Sequence, residues 1–225
     1  MARNRTVSPN RDPVLVIGLG RFGLALAKSL EALDHEVLAV DSRPEVVQRH
    51  ASTLTHVVEA DSTDIDAMKQ IGAHDFGRAV VGMGDQLEAS ILTTAVLSDL
   101  QIPEIWAKAI SNEHGRILER VGAHHVVFPE QAMGERVAHL VTGKMIDFIE
   151  FDDGFAIVKT RPPREAVNRT LGESALRSRY KITVVGTKQP GKDFVYARPE
   201  TMVREADLLI VCGDTADCER FAAIT

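Results

Sequence analysis

The most constraining feature of the sequence is a regular alternation of short apolar runs with segments of helical period. Runs that are apolar along most of their length are typical of strands buried on both faces of a parallel sheet. Strands that alternate with helices at this spacing predict right-handed βαβ units and one doubly wound sheet. The predicted strands cover residues 14–18, 36–41, 55–61, 78–84, 102–109 and 124–130.

Six such strands complete a Rossmann-type N-lobe, and the pattern changes after Glu130. A helix is predicted for 131–144, with Met133, Val137, Leu140 and Val141 at core spacing. In the earlier helix over 86–100 we expect the apolar side to consist of Leu87, Ile91, Leu92, Ala95 and Val96. Beyond the helix over 131–144 we predict five strands and a last helix. The strands are 146–151, 156–161, 181–188, 193–199 and 207–213.

The predicted fold class is therefore α/β, with a small α+β C-lobe after the Rossmann-type sheet. We divide the chain into a disordered tail over 1–13, an N-lobe over 14–130, a helical connection over 131–150 and a C-lobe over 151–225. The tail is polar and basic and lacks the apolar stretch of a secretory signal. No apolar run approaches the ~18 residues that cross a bilayer, so we expect a soluble, cytoplasmic protein.

Composition narrows the classes of function. The net charge of −6 and the pI near 5.8 argue against a general nucleic-acid binder. The sequence contains no G-x-S-x-G elbow, no Walker A sequence and no Cys–His pair in a recognisable frame. The short second domain has no evident acid–base cluster, which favours a binding module over an enzyme.

Three glycines follow the first predicted strand at the spacing G-x-G-x-x-G. In that geometry Gly18 makes the tight turn, Gly20 lets a phosphate approach the backbone, and Gly23 permits close helix–strand packing. Asp41 ends the second strand 18 residues after Gly23, near the spacing of the acid that binds a ribose hydroxyl. A carboxylate there repels a 2′-phosphate, so NAD, ATP, ADP or AMP is predicted rather than NADP. The alternative is a degenerate domain with an empty cleft.

Further polar residues stand at the ends of other strands. Asp61 and Ser62 could lie beside an adenine or cap the next helix. Arg21 occupies the positive end of a helix, where a cation is disfavoured, so it either binds an anion or is simply solvated. Lys108 could snorkel from an edge strand, and Glu130 could ligate a divalent cation or start the next helix. Two sequence neighbours of these residues complete the predicted nucleotide site, namely Phe22 and Ser42.

Four segments together resemble the RCK (KTN) domain, the regulator of potassium conductance. The similarity is greatest to the cytosolic gating subunits of bacterial Ktr/Trk potassium uptake systems, and it extends over nearly the whole chain after Pro13. It includes a C-lobe that resembles the TrkA-C type. The segments that carry it are residues 16–30, 37–41, 92–109 and 121–138.

The resemblance implies a regulatory protein that is not an enzyme. Such subunits form homodimers that assemble into an octameric ring beneath a dimeric membrane potassium channel, at the inner face of the membrane. ATP and ADP, or NAD(H), bind in the N-lobe cleft and switch the shape of the ring. The alternative function is an NAD-dependent oxidoreductase or an NAD(H) sensor.

The resemblance also implies roles for individual residues. The glycine turn would hold the phosphates, and Asp41 would hold the ribose. Arg21 would contact the terminal phosphate, in a neighbouring subunit's ATP, and Lys108 would face the phosphates. Glu130 would help to bind Mg²⁺ or Ca²⁺ between subunits. The remaining implied positions, beside the adenine, are Asp61 and Ser62.

Two further implications concern the region after Glu130. The helix over 131–144 would cross to the partner subunit, and its apolar stripe would serve as a dimer interface, although an intramolecular core gives the same pattern. The C-lobes of this family can bind cyclic di-AMP between two subunits. The residues where that pocket would form, which could equally be plain core and surface, are Arg177, Tyr180, Ile182 and Pro199.

Overall fold

The computed structural model describes residues 12–142, 145–151 and 154–225. The predicted tail therefore lies almost wholly outside the described residues. The chain forms two compact units, a first up to Glu130 and a second from Gln131 to Thr225. No helix in the described ranges is both long enough and apolar enough to cross a membrane.

The first unit contains a six-stranded sheet in the order β3-β2-β1-β4-β5-β6, with every neighbouring pair parallel. Its strands are β1 Val14–Ile17, β2 Val37–Asp41, β3 His56–Glu59, β4 Arg78–Val81, β5 Glu104–Lys108 and β6 His125–Val127. The helices that follow them are α1 Arg21–Ala32, α2 Pro44–His50, α3 Ile65–Gln70, α4 Leu87–Asp99, α5 Asn112–Arg120 and α6 Pro129–Thr142. The doubly wound sheet predicted from the alternation is confirmed.

Both faces of this sheet are buried, as the continuous apolar runs predict. In β1, Leu15 and Ile17 pack into one core with Leu97 of α4 and Leu118 of α5. The alternate residues of the strand pack on the opposite side, against Ala27 of α1 and Val46 of α2. At about 25 cal/mol per Å² of apolar surface, this two-sided burial is the main stabilising contribution to the unit.

Local signals account for most helix starts. Asp64 caps α3 by accepting hydrogen bonds from the N–H groups of Asp66 and Ala67, as predicted. Ser111 caps α5 through the N–H of His114. The helix near residue 130 begins two residues earlier than predicted, because Pro129 is the first residue of α6 rather than the end of a strand.

The predicted apolar side of α4 is correct for Val96, which is buried, and for Ile91, which packs against the core, but it is wrong for the two leucines. Leu87 and Leu92 are each 46% exposed, whereas three hydroxyl-bearing residues of the helix are buried. Thr94 donates from its hydroxyl to the carbonyl of Ser90, and Thr93 shares a hydrogen bond with Ser62. Helical hydroxyls can satisfy themselves within or beside the helix, so they can enter a core that a hydrophobicity pattern assigns to leucine.

The second unit contains an antiparallel sheet in the order β10-β9-β11-β8-β7. Its strands are β7 Asp147–Phe151, β8 Phe155–Thr160, β9 Thr183–Lys188, β10 Phe194–Tyr196 and β11 Leu208–Asp214. Its helices beyond α6 are α7 Leu171–Ser174, α8 Leu176–Tyr180 and α9 Thr215–Ala223. The predicted small α+β lobe and the β9–β10 hairpin are confirmed, and the core centres on Phe148, Val158, Leu209 and Phe221.

Candidate functional site

The main cleft lies where the chain reverses its direction of travel across the first sheet. From β1 the chain moves outward to β2 and β3 and then returns to β4 on the other side of β1. The loops after β1 and β4 consequently diverge, and this divergence leaves a crevice at the carboxyl ends of the strands. The residues that line it are Ile17, Gly18, Gly20, Arg21, Phe22, Asp41, Ser42, Arg43, Ser62, Gly82, Met83, Gly84, Asp85, Gln86, Lys108 and Glu130.

The three glycines of the turn differ in geometry. Gly18 has φ +88°, a conformation that side-chain-bearing residues rarely adopt. A Cβ added to Gly20 would have no heavy atom within 4 Å, so the space above this glycine is open. A Cβ at Gly23 would lie 1.9 Å from the carbonyl oxygen of Gly18. Gly23 therefore packs α1 against the turn and does not itself line the cleft.

The N-terminus of α1 faces this open space. Gly20 is the N-cap and supplies no side-chain cap, and the first turn contains no acidic residue. Unpaired N–H groups at a helix N-terminus favour a bound anion. Arg21, the first residue of the helix, is exposed and makes no hydrogen bond or ion pair with another described residue. Arg21 thus stands at the mouth of the cleft without a direct hydrogen-bonding partner, and its closest electrostatic influence in the cleft is on Glu130, whose pKa it helps to lower.

Asp41 lies at the end of β2 and is only 5% exposed. Its carboxylate accepts hydrogen bonds from Leu19 N at 2.8 Å and Arg43 N at 3.1 Å. The Arg43 guanidinium donates two more, from Nε at 2.9 Å and from Nη2 at 3.0 Å. Burial alone raises the pKa of Asp41, but the hydrogen bonds from Arg43 and Leu19 outweigh it and the pKa is lowered. Asp41 is therefore an ionised anchor for the glycine turn.

The two residues after β3 have separate environments. Ser62 is 7% exposed, lines the cleft, and shares a 2.7 Å hydrogen bond with Thr93. The carboxylate of Asp61 accepts from Thr63 N at 2.9 Å and Thr63 Oγ1 at 2.7 Å, and it is not among the lining residues. Neither residue caps the next helix, because Asp64 does. The structure therefore places Ser62 in the cleft, whereas Asp61 lies outside the cleft lining and binds Thr63 within its own loop.

Lys108 and Glu130 close the other end of the cleft. Lys108 Nζ donates to Glu130 Oε1 at 2.5 Å and lies 5.9 Å from the centroid of the Phe22 ring. The Lys108 side chain is 10% exposed on β5, which has β4 and β6 on either side. The alternative of a lysine that snorkels from an edge strand is therefore wrong. The hydrogen bond from Lys108 lowers the pKa of Glu130, which lies in the first turn of α6.

Glu130 is the predicted metal ligand, and it offers one carboxylate whose side chain is 64% exposed. Among the residues that the structure describes, no three His, Cys, Asp or Glu side chains cluster tightly enough to hold a metal ion. A cation at Glu130 would need its other oxygen ligands from a bound phosphate or another subunit.

Besides Ile17 at the end of β1, the sequence predictions omitted two groups of lining residues. One is Arg43, for which the signal was an arginine two positions after the strand-ending acid. The other is the loop 82–86 after β4. A Cβ at Gly82 would lie 3.2 Å from Gly18 O, and one at Gly84 would lie 3.0 Å from Lys108 Nζ. Gly82 thus lets the loop after β4 lie close to the loop after β1, and Gly84 leaves room for the side chains of Lys108 and Ile110.

A second cleft lies in the C-lobe. It includes Arg177 and Pro199 among its lining residues, together with residues of α7, α8 and β9. Ile182 is fully buried in the core. The Tyr180 hydroxyl donates to Glu165, and its ring packs edge-on against Phe221. The structure therefore brings together two of the four residues predicted for cyclic di-AMP.

Comparison with known proteins agrees with this architecture. The TrkA-N domain model matches residues 14–129, and the TrkA-C domain model matches residues 155–225. The chain is 35% identical over 207 residues to Ktr system potassium uptake protein A of Bacillus subtilis strain 168, covering 92% of this chain and 93% of that protein. Protein C of the same organism is also 35% identical, over 208 residues, with 92% and 94% covered.

Among solved structures, the crystal structure of the GsuK RCK domain matches with a TM-score of 0.67 at 19% identity. The match covers 96% of this chain and 48% of that chain, so the present chain spans about half its length. The GsuK channel bound to NAD matches with a TM-score of 0.62 at 18% identity, covering 96% and 39%. These identities establish the fold alone, and the family follows from the sequence matches. The chain belongs to the family of TrkA-N and TrkA-C domain proteins, the RCK family.

Proposed function

We propose that this chain is the nucleotide-sensing regulatory subunit of a membrane potassium uptake system, and that ATP and ADP compete for its N-lobe cleft. The observation that carries the proposal is the cationic, open end of the cleft. Gly20 leaves space for a phosphate, and the exposed Arg21 side chain makes no direct hydrogen bond or salt bridge with another described residue, although it lowers the pKa of Glu130 through its charge. The kinship with Ktr potassium uptake proteins A and C supports the assignment to potassium transport.

The N-terminus of α1 would hold the inner phosphates, since its N–H groups are oriented toward the open space at Gly20. Ser62 would contact the adenosine end, where it lines the cleft. Arg21 would bind the γ-phosphate, because a guanidinium pairs well with phosphate oxygens. ADP lacks that phosphate, so ATP and ADP would stabilise different conformations of the assembly.

The switch would be a shift of populations between at least two conformations. A ligand moves such an equilibrium only by its differential affinity for the two states. One charge-assisted contact contributes about 1.5–3 kcal/mol, and repetition around a ring of subunits would multiply the effect. Glu130 would add a Mg²⁺ or Ca²⁺ ion between the phosphates of one subunit and the carboxylate of another.

The helix α6 would provide the contact between two copies of the chain. Three residues of its apolar stripe are exposed, with Met133 at 54%, Val137 at 43% and Val141 at 78%, whereas Leu140 packs into the core of the second unit. Exposed apolar side chains in one stripe favour a protein interface over a solvated surface. The dimers would assemble into an octameric ring beneath a membrane potassium channel on its cytoplasmic side, with cyclic di-AMP bound at the C-lobe cleft.

The test is a comparison of ATP and ADP binding by the full chain and by the variant Arg21→Ala, using isothermal titration calorimetry. The wild type should distinguish ATP from ADP by about tenfold or more, and the variant should lose most of that ratio. Lys28→Ala, an exposed cation on the same helix, is the matched control and should keep the ratio.

Two results would contradict the proposal. If neither nucleotide binds, the cleft is not a nucleotide site. If Arg21→Ala separates ATP from ADP as the wild type does, the role of Arg21 is wrong. NADH in the same panel tests the alternative of an NAD(H) sensor, which would be favoured if NADH binds well above both adenine mononucleotides.

A further inference from the structure

We propose that one side of the second sheet is a docking face on which the same face of a second copy of this chain packs, related to it by a two-fold axis. The inference goes beyond the proposed function, because it requires no nucleotide and concerns neither of the two clefts nor the apolar stripe of α6. We call this side of the sheet, which lies opposite to its core, the open face. The residues that define it are Ile149, Phe151, Phe155, Ile157, Ile210 and Cys212.

The strands of this sheet are apolar on both sides. In β8, Ala156 and Val158 are fully buried in the core, whereas Phe155 and Ile157 lie on the open face. An antiparallel sheet with one solvated face usually alternates apolar and polar residues. A strand that is apolar along most of its length is typical of a sheet that is covered on both faces. The open face therefore has the composition of a buried surface.

The described helices of the second unit pack on the other side of the sheet. Each of α6 to α9 contributes a side chain to the core there, namely Leu140, Leu171, Leu176 and Phe221. On the open face Ile149 is 51% exposed, Phe151 is 49% exposed and Phe155 is 42% exposed. At about 200 Å² for a whole aromatic side chain, the two phenylalanines alone leave about 180 Å² exposed. Contiguous apolar side chains that are exposed in this way indicate a site of protein association.

The breadth of the open face favours a sheet over a helix as the structure that covers it. Five strands at a spacing of about 4.8 Å span about 24 Å. The apolar surface continues to the edge strand β10, where the ring of Phe194 occupies the space above Gly186. A helix with its side chains is only about 10–12 Å wide and would leave half of the face exposed. A second sheet of the same size covers all of it, and a second copy of the chain provides such a sheet.

The open face has a central row of apolar side chains. Ile149, Ile157 and Cys212 are in register across β7, β8 and β11. A two-fold axis along this row relates the face to that of the second copy, so that each of these residues meets its counterpart. Two sheets packed face to face lie about 10 Å apart, a separation that apolar side chains from both sides fill.

The charges on either side of the central row favour this axis. Lys159 of β8 lies on one side of the row, and Asp214 at the end of β11 lies on the other. Rotation about the row reverses the strands, so the Lys159 end of each copy meets the Asp214 end of the other. Asp147, the acid beside Lys159, already binds Arg136. An axis parallel to the strands would instead bring the two Lys159 ends together, which like charges disfavour.

Cys212 provides a natural probe of the covered state. The chain has two cysteines, and Cys218 is fully buried, with its pKa raised to about 11 by burial. Cys212 is partly exposed in the single chain, and in the pair it is enclosed between the two sheets. Its alkylation by N-ethylmaleimide therefore reports whether the open face is covered.

The experiment measures the rate of Cys212 alkylation in the full chain by intact mass spectrometry. The wild type should react about tenfold or more slowly than Ile149→Glu, in which like charges meet at the central row and separate the faces. Ile149→Lys should react as fast as Ile149→Glu. When the two variants are co-expressed in equal amounts, opposite charges meet and the slow rate should return. Val195→Glu, at a position 58% exposed on the other side of the sheet, is the matched control and should react slowly.

Three results would overturn the inference. If the wild type reacts as fast as Ile149→Glu, the open face is not covered. If co-expression of the two variants does not restore the slow rate, the structure that covers Cys212 is not the same face of a second copy. If Val195→Glu exposes Cys212 as much as Ile149→Glu does, the contact runs through β10 instead of the open face. None of these results depends on ATP or ADP, so the proposed nucleotide site is tested separately.

Discussion

Replacing Gly23 with alanine should destabilise the first unit, and the structure allows the magnitude to be worked out. The new Cβ would lie 1.9 Å from the carbonyl oxygen of Gly18 and 3.1 Å from its carbonyl carbon. Both are backbone atoms that cannot rotate aside, so α1 and the turn must separate by at least 1.1 Å to reach a contact of 3.0 Å. Overpacking of this kind costs about 1–3 kcal/mol.

Alanine regains part of that cost through its higher helix propensity, about 1 kcal/mol over glycine. Because the clash is with backbone atoms, we take the upper end of the overpacking range, about 3 kcal/mol, which leaves a net loss of about 2 kcal/mol from the free energy of unfolding. For a unit of this size each kcal/mol lowers the melting temperature by about 4 °C, so the expected fall is about 8 °C. The measurement is thermal unfolding of the full chain, followed by circular dichroism or calorimetry.

The matched control is Gly20→Ala, a change at another glycine of the same turn. Its Cβ meets no heavy atom within 4 Å, so its melting temperature should stay within about 4 °C of the wild type. The same methyl group occupies the space proposed for a phosphate, so Gly20→Ala should abolish stabilisation by ADP. The reasoning is refuted if Gly23→Ala melts within 2 °C of the wild type, or if Gly20→Ala melts as low as Gly23→Ala.

Two further predictions concern charge. Glu130→Gln removes the partner of Lys108, and the freed ammonium should strengthen metal-free ADP binding by up to about fivefold, about 1 kcal/mol; weaker binding in the presence of chelator would contradict this. Burial lowers the pKa of His114 below its ordinary value of 6.5, so below about pH 6.5 the unfolded chain takes up a proton that the folded chain resists, and stability falls with pH. The measurement is the free energy of unfolding at pH 7.5 and at pH 5.5, for the wild type and for His114→Gln. The wild type should lose more stability between the two pH values than the variant does, and an equal loss in both proteins would refute the prediction.

The sequence by itself determined the elements with local or periodic causes. Short apolar runs that alternate regularly with segments of helical period are typical of a parallel sheet, so the first sheet was predictable. The turn at Gly18 was predictable because its φ of +88° suits glycine, and the start of α3 because Asp64 caps it through bonds two and three residues away. These signals depend on residues that are close together in the chain, so they can be recognised in the sequence alone.

Only the tertiary structure decided how side chains distant in the chain share their hydrogen bonds. Lys108 meets Glu130 across 22 residues, and Ser62 meets Thr93 across 31. Asp41 was identified correctly as the strand-ending acid, but its hydrogen bond from Leu19, 22 residues away, depends on where the loops after β1 and β2 meet. A carboxylate has the same sequence signature whether its acceptor positions are free or filled. Which donors and acceptors remain for a ligand depends on which of them are already used by other protein groups. Those hydrogen bonds form only when the loops are packed together.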